Sequence, residues 1–248
     1  MTVNEKIAKI RERMTENHID AVIVPSADPH MSEYYSEHWK TRAWLSGFTG
    51  SAGSFVITQS VAGLWTDGRY YVQAEKQLSG SEGVLFKMNE PETPKIHEYL
   101  AKELPENAVV GINGQLFSVA YVKEMQKAFK KKNIQIDNQV DYANDLWEDR
   151  PAESATAVYN LPVKYAGKSA QQKIEELRGK LEAAGAEAIF VNALDGIAWL
   201  YNIRANDVAC TPVAVAYAYV SKENAILFTN TARVDADVLR VLSENGIT

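Results

Sequence analysis

The sequence predicts an α/β protein in which one arrangement of helices and strands occurs twice, the second copy stopping short. Three observations carry this. Ile7, Ile10 and Met14 line one face of a helix, and Ile174, Leu177 and Leu181 repeat the spacing 167 residues later. Each helix passes through a short break, at His18 and at Gly185, into an apolar run of strand character, 21–24 and 188–191, at the same offset. Trp44-Leu45 then recurs as Trp199-Leu200 at an offset of 155, and Leu64-Trp65-Thr66-Asp67 recurs as Leu227-Phe228-Thr229-Asn230, with Arg69 and Arg233 following. The first copy carries twelve extra residues between strand and Trp, within the polar, aromatic stretch 28–42. Four parallels in one order argue for two domains of one fold rather than a compositional likeness between α/β units.

The remaining elements follow in chain order. Ser54 to Ile57 reads as a strand, Val72 to Leu78 as a helix and Val84 to Met88 as a strand. Thr93 to Leu104 is expected to be a helix with Pro94 near its first position. Val109 to Ile112 is a strand, Ser118 to Lys132 a helix capped by Ser118, and Ile134 to Ile136 opens another strand. Lys130, Lys131 and Lys132 complement the dipole at that helix end and are expected to meet solvent. Residues 141–168 contain Pro151 and Pro162 and little periodicity, which reads as a linker. The expected division is a domain over 1–140, a linker over 141–168 and a second, incomplete domain over 169–248. The first copy continues about seventy residues beyond Arg69, so further strands and helices are expected after Thr248 in a longer native chain.

Composition narrows the function. The 248 residues are 46% hydrophobic and 23% charged with a net charge of -6. That excludes a largely disordered chain and disfavours a sequence-independent phosphate-binding surface. A nucleic-acid partner is therefore not expected. The single cysteine, Cys210, cannot form an internal disulfide. The N-terminus lacks an apolar signal core, and the longest apolar run, 212–220, is far too short to span a bilayer. No membrane partner is expected, and the default location is the cytoplasm.

The chain lacks H-E-x-x-H, G-x-S-x-G, phosphate-loop and paired C-x-x-C motifs. His30 and His38 are not at helical metal-pair spacing, and the four histidines (His18, His30, His38, His97) read as exposed or hydrogen-bonded loop residues. No metal ligand is expected. The Gly-rich run 47–53 precedes a strand rather than a helix, so its glycines serve a tight turn with close backbone packing. Within Trp65 to Tyr71, Asp67-Gly68 reads as a turn, and Arg69 offers a charged planar fork suited to a carboxylate or peptide carbonyl. Trp65, Tyr70 and Tyr71 could wall it. The alternative is that Asp67 and Arg69 lock the turn while the aromatics fill the core.

The runs Val24-Pro25-Ser26-Ala27-Asp28-Pro29-His30, Leu45 to Gly53, Trp65 to Tyr71, Leu146 to Pro151 and Ala193 to Arg204 together resemble the three-domain Xaa-Pro aminopeptidases, over nearly the whole chain. The resemblance implies two tandem domains of the creatinase/prolidase N-terminal fold, each a mixed sheet flanked by helices, the second truncated. It implies a parent hydrolase that removes the N-terminal residue from peptides with proline second, cytoplasmic and homodimeric. It places the chemistry in a third domain of pita-bread fold holding two divalent metal ions, Mn(II), so that no catalytic residue falls here and this chain alone is inactive. It marks Arg69 as a substrate contact with Trp65 and Asp67 in support, and His30, with Arg42 and Arg204 weaker, on the same surface. The competing readings are a free-standing peptide-binding or interaction module of this fold and a nucleotide-binding α/β protein; the latter lacks a phosphate loop.

Overall fold

The helix α1 (Val3–Glu16) opens on a reciprocal cap. The Glu5 N–H donates to the Thr2 hydroxyl at 3.2 Å and the Thr2 N–H to the Glu5 carboxylate at 2.7 Å. Its apolar face, Ile7, Ile10 and Met14, is buried as the spacing predicts. The computed structural model describes residues 1–248. Two compact units divide it, one comprising 1–33 and 38–151, the other 34–37 and 152–248.

In the first unit, β1 (Ala21–Pro25) is followed by α2 (Thr41–Ser46), β2 (Ser54–Thr58), β3 (Ala62–Thr66), α3 (Tyr71–Leu78) and β4 (Gly83–Lys87). Then come α4 (Ile96–Glu103), β5 (Val109–Ile112), α5 (Val119–Phe129), β6 (Gln135–Asp137) and α6 (Tyr142–Leu146). The six strands form one mixed sheet in the order β4-β3-β2-β1-β5-β6. Its β1/β2 and β2/β3 pairs are antiparallel, and its β3/β4, β1/β5 and β5/β6 pairs are parallel. Both faces are covered. One carries Ile7, Met14, Leu45, Phe48, Leu64 and Leu78; the other packs Ile23, Val56 and Trp65 beneath Leu100 and Leu104 of the α4 segment and Met125 and Phe129 of α5.

Three expectations are corrected. The helix predicted from Thr93 begins at Ile96. The Pro94 carbonyl accepts the Trp65 indole N–H at 3.0 Å, and the Lys95 N–H donates to Glu98 at 3.1 Å, so the helix starts after the proline. Lys132 does not simply meet solvent: its ammonium caps the end of α4 through the Lys102 and Leu104 carbonyls at 2.7 and 2.6 Å. His97 is not a loop residue but a buried one on α4, its Nδ1 without a hydrogen-bond partner and its ring edge-on to Tyr121. Residues 141–151 belong to the first unit, where Trp147 stacks on Trp44 at 5.3 Å and Arg150 pairs with Asp141.

The second unit contains β7 (Tyr159–Asn160), α7 (Val163–Ala166), α8 (Ala170–Ala183), β8 (Ala188–Val191), α9 (Leu194–Tyr201), β9 (Ile203–Arg204), β10 (Tyr217–Ser221), β11 (Ala225–Phe228) and α10 (Ala236–Glu244). An antiparallel sheet runs β11-β10-β8, and β7 pairs with β9. Helices α8, α9 and α10 bury one face of the larger sheet around Ile174, Ile197, Ala218, Val220, Val238 and Leu242.

The repeat reaches side-chain detail. α8 opens on the same reciprocal cap, Ser169 with Gln172. Helices α2 and α9 both end on a left-handed residue, Gly47 (φ 72°) and Asn202 (φ 54°). Arg11 donates through Nε to the Thr58 carbonyl at the end of β2, and Arg178 to the Ser221 carbonyl at the end of β10, each at 2.9 Å.

Candidate functional site

The C-terminal end of β3 delivers Thr66 into the interior and Asp67 to the surface. Asp67 turns the chain. Its carboxylate accepts the Arg69 backbone N–H at 3.1 Å and both arms of the guanidinium, Nε and one terminal nitrogen, at 2.9 Å each. The hydrogen bonds from Arg69 hold the Asp67 carboxyl below the ordinary carboxylate range, and Asp67 in turn raises Arg69. The Arg69 side chain remains 63% exposed and lies over the Tyr70 ring at 5.2 Å. Tyr70 is anchored by Ser51, hydroxyl to hydroxyl, at 2.7 Å and meets Phe48 edge-on. Tyr71 donates to the Met88 carbonyl.

Arg69 and Asp67 stand at a groove of about 420 Å³ within the first unit. Pro25 and Ser26 at the end of β1, Ser32 and Glu33 beyond it, and Ser51 to Ser54 form one part of its lining. Met88, Ile96 and Tyr121 form the rest. The groove therefore combines one cation, two carboxylates, several hydroxyls and an apolar wall, which suits a short peptide segment with polar backbone and mixed side chains.

The sequence-predicted residues do not all meet there. Trp65 is 1% exposed, stacked on Phe86 at 3.8 Å, with its N–H on Pro94. It lies in the core behind the site rather than in the groove lining. His30 is buried, 3.8 Å from Asp28, whose carboxylate also accepts the His30 and Ser32 N–H groups. Arg42 is buried and holds the Gly-rich loop, donating to the Phe48 and Gly50 carbonyls and to Ser26. Gly53 (φ 153°) lets that loop approach β3: a Cβ there would lie 2.9 Å from the Trp65 carbonyl. Arg204, in the second unit, donates to the Ala198 and Ile203 carbonyls.

Arg233 is no counterpart of Arg69. It is buried and paired with Asp207, which also accepts from Ser154 and Thr156 at 2.8 to 3.2 Å and from the Val215 N–H at 2.7 Å. Met88, Ile96 and Tyr121 escaped the sequence reading. They come from the end of β4, α4 and α5, and only the parallel β3/β4 pair and the helices on that face bring them beside Asp67; no local signal marks them. No three His, Cys, Asp or Glu side chains converge to hold a metal ion. The donor set does not fit a dinuclear centre, and no metal is assigned to these residues.

Comparison with known proteins gives the lineage. The creatinase/prolidase N-terminal domain profile matches residues 6–143, and a second profile of the same description matches 149–248. Aminopeptidase P1 of Lotus japonicus is 41% identical over 92% of this chain and 34% of its own length; Aminopeptidase P1 of Arabidopsis thaliana is 40% identical over 99% of this chain and 38% of its own. The crystal structure of an X-prolyl aminopeptidase from Caenorhabditis elegans, described as a cytosolic enzyme with a di-nuclear active site, superposes with a TM-score of 0.93 at 30% identity over 100% of this chain and 42% of that one. The chain thus spans about two-fifths of these proteins, and by both profiles it belongs to the creatinase/prolidase N-terminal domain family, in two tandem copies.

Proposed function

We propose that this chain is the non-catalytic N-terminal region of a metal-dependent Xaa-Pro aminopeptidase, a hydrolase that removes the first residue from peptides with proline second. The observation that carries the reading is Arg69. It is an exposed guanidinium, oriented by Asp67, at a peptide-sized groove of a chain about 40% identical to aminopeptidases P. In the whole enzyme Arg69 holds a backbone carbonyl or chain end of the peptide, which fixes the scissile bond relative to chemistry performed elsewhere. Two divalent metals, Mn(II) by this reading, belong to a part of the whole protein outside these residues. The region shapes the substrate entrance and aids homodimerisation.

The division into a first domain over 1–140, a linker over 141–168 and a second domain from 169 belongs to the same reading; the profile matches over 6–143 and 149–248 support its two tandem domains, not the extent of the linker. A cytoplasmic location is proposed from the relative described as cytosolic; no helix here is long and apolar enough to cross a membrane.

The test compares two proteins on a Xaa-Pro peptide with added Mn(II), both purified free of host peptidases. The whole protein is expected to release the first residue, and residues 1–248 alone are expected to release none. Turnover by residues 1–248 contradicts the non-catalytic assignment. An inactive whole protein that still binds proline peptides contradicts the enzyme and favours a binding module.

A further inference from the structure

The groove at Arg69 has an apolar part whose chemistry the arginine does not explain. Met88, Ile96 and Tyr121 line it. Ile96 is buried at the first position of α4, but Met88 leaves 40% of its surface in solvent. Both polar groups of the Met88 backbone are held. Its N–H donates to the Thr66 carbonyl at 2.9 Å, and its carbonyl accepts the Tyr71 hydroxyl. Thr66 immediately precedes Asp67, so the thioether and the Arg69 fork hang from the adjoining ends of β4 and β3. The Met88 side chain itself is unbranched and adapts its shape to a neighbour. Tyr121 is fixed by rings: it lies near-parallel to Phe117 at 6.0 Å and meets the buried His97 edge-on at 5.9 Å. Its hydroxyl has no hydrogen-bond partner in the chain. The wall is therefore anchored from behind and uncommitted on its groove side.

Charge narrows what the wall receives. Asp67 is committed to Arg69 and Glu33 makes no ion pair, so the lining sets two carboxylates against one guanidinium. That balance disfavours an acidic side chain. A large apolar side chain instead covers the Met88 thioether and the Tyr121 ring and removes their surface from water. In the reading above, the scissile bond sits at chemistry outside these residues while Arg69 holds a backbone carbonyl or chain end. The peptide residue that reaches the groove then lies beyond the proline, and its side chain is what meets the wall.

We propose that Met88 and Tyr121 are specificity-determining residues of the whole enzyme: they receive the side chain of the residue that follows proline and favour a large apolar one over a small or acidic one. Met88 supplies a surface that adapts to the shape of that side chain, and the Tyr121 ring supplies a fixed one. The preferred substrates are thus Xaa-Pro peptides of three residues or more with Leu, Met or an aromatic residue third. The inference rests on the aminopeptidase reading above and adds to it the class of peptide selected.

The experiment measures kcat/KM of the whole enzyme, with Mn(II), on three peptides that differ only at the third residue: Ala-Pro-Leu-Ala, Ala-Pro-Ala-Ala and Ala-Pro-Asp-Ala. The parent is expected to prefer the Leu peptide to the Ala peptide about tenfold or more, with the Asp peptide slower than both. Met88→Ala and Tyr121→Ala should each lower that Leu-to-Ala preference about threefold or more, and Tyr121→Phe, which keeps the ring, should retain it. A loss in these variants that falls equally on the Leu and Ala peptides is what a merely structural role gives, and it overturns the proposal. A parent preference near one, or an Asp peptide faster than the Ala peptide, also overturns it while leaving the aminopeptidase reading intact. Turnover of none of the three refutes that reading, and this inference with it. If Tyr121→Ala does not fold, Met88→Ala, at an exposed side chain, carries the same comparison.

Discussion

Lys173 stands to Trp199 as Lys6 stands to Trp44. Each ammonium donates to the tryptophan's backbone carbonyl at 2.7 Å and lies over its indole, at 4.5 Å and 4.7 Å from the ring. Burial lowers both lysines from their ordinary range. Each joins the first helix of its unit to the helix after the first strand, α1 to α2 and α8 to α9. A device kept at the same offset as the helical stripe is what two copies of one fold would retain. The partner on the far side of the ring differs: Trp147 covers Trp44, whereas Trp199 is 54% exposed.

Lys173 also donates to the Asn202 side chain, so Lys173→Met leaves two acceptors at the end of α9 without their donor. The expected cost is about 1–3 kcal/mol in urea unfolding of the chain. Lys6→Met, at a less buried site, should cost less. Equal, negligible effects of both would remove the lysines from the account of the fold.

Asp207 anchors the entry of the chain into the second unit. Burial pushes its carboxyl up, but the Val215 N–H, Arg233 and Thr156 outweigh this and hold it below the ordinary range. Asp207→Ala would strand the buried Arg233 charge and should cost about 3–5 kcal/mol. A carboxyl with a depressed folded value stabilises fully above its unfolded value near 3.9 and loses that contribution as pH falls through the folded value. Urea midpoints should therefore fall below about pH 4 in the parent chain, and this part of the dependence should vanish in Asp207→Asn.

Trp65→Ala removes a ring stacked on Phe86 and should destabilise the first unit by about 3–5 kcal/mol. Trp65→Phe keeps an aromatic ring but releases the Pro94 carbonyl ahead of α4. It should lower thermal stability while changing the KM of the whole enzyme little, because the indole lies in the core. A large rise in KM with unchanged stability would instead make Trp65 a substrate contact.

Much of this architecture is legible in the sequence. The helical stripe of Ile7, Ile10 and Met14, the Ser118 cap and the strand at 109–112 each follow from local spacing or chemistry. The start of α4 departs from the local pattern because a distant group, the Trp65 indole, takes the Pro94 carbonyl. The burial of His97 is not legible locally because it involves Tyr121 of another helix. At the groove, Asp67 and Arg69 were visible as a turn with a fork. Whether the aspartate or a ligand holds that fork is a three-dimensional matter, and in the free chain the aspartate does. The wall of Met88, Ile96 and Tyr121 exists only once parallel pairing has assembled the sheet.

Arg69→Ala in the whole enzyme, assayed as kcat/KM on Xaa-Pro peptides, tests the central claim most directly. Arg69 is exposed and bonded only to its neighbour in the turn, so unfolding of the variant should match the parent within about 0.5 kcal/mol. Against that unchanged fold, kcat/KM is expected to fall about tenfold or more, corresponding to a lost charged hydrogen bond to the peptide. Unchanged kcat/KM across peptides of different length would contradict the account.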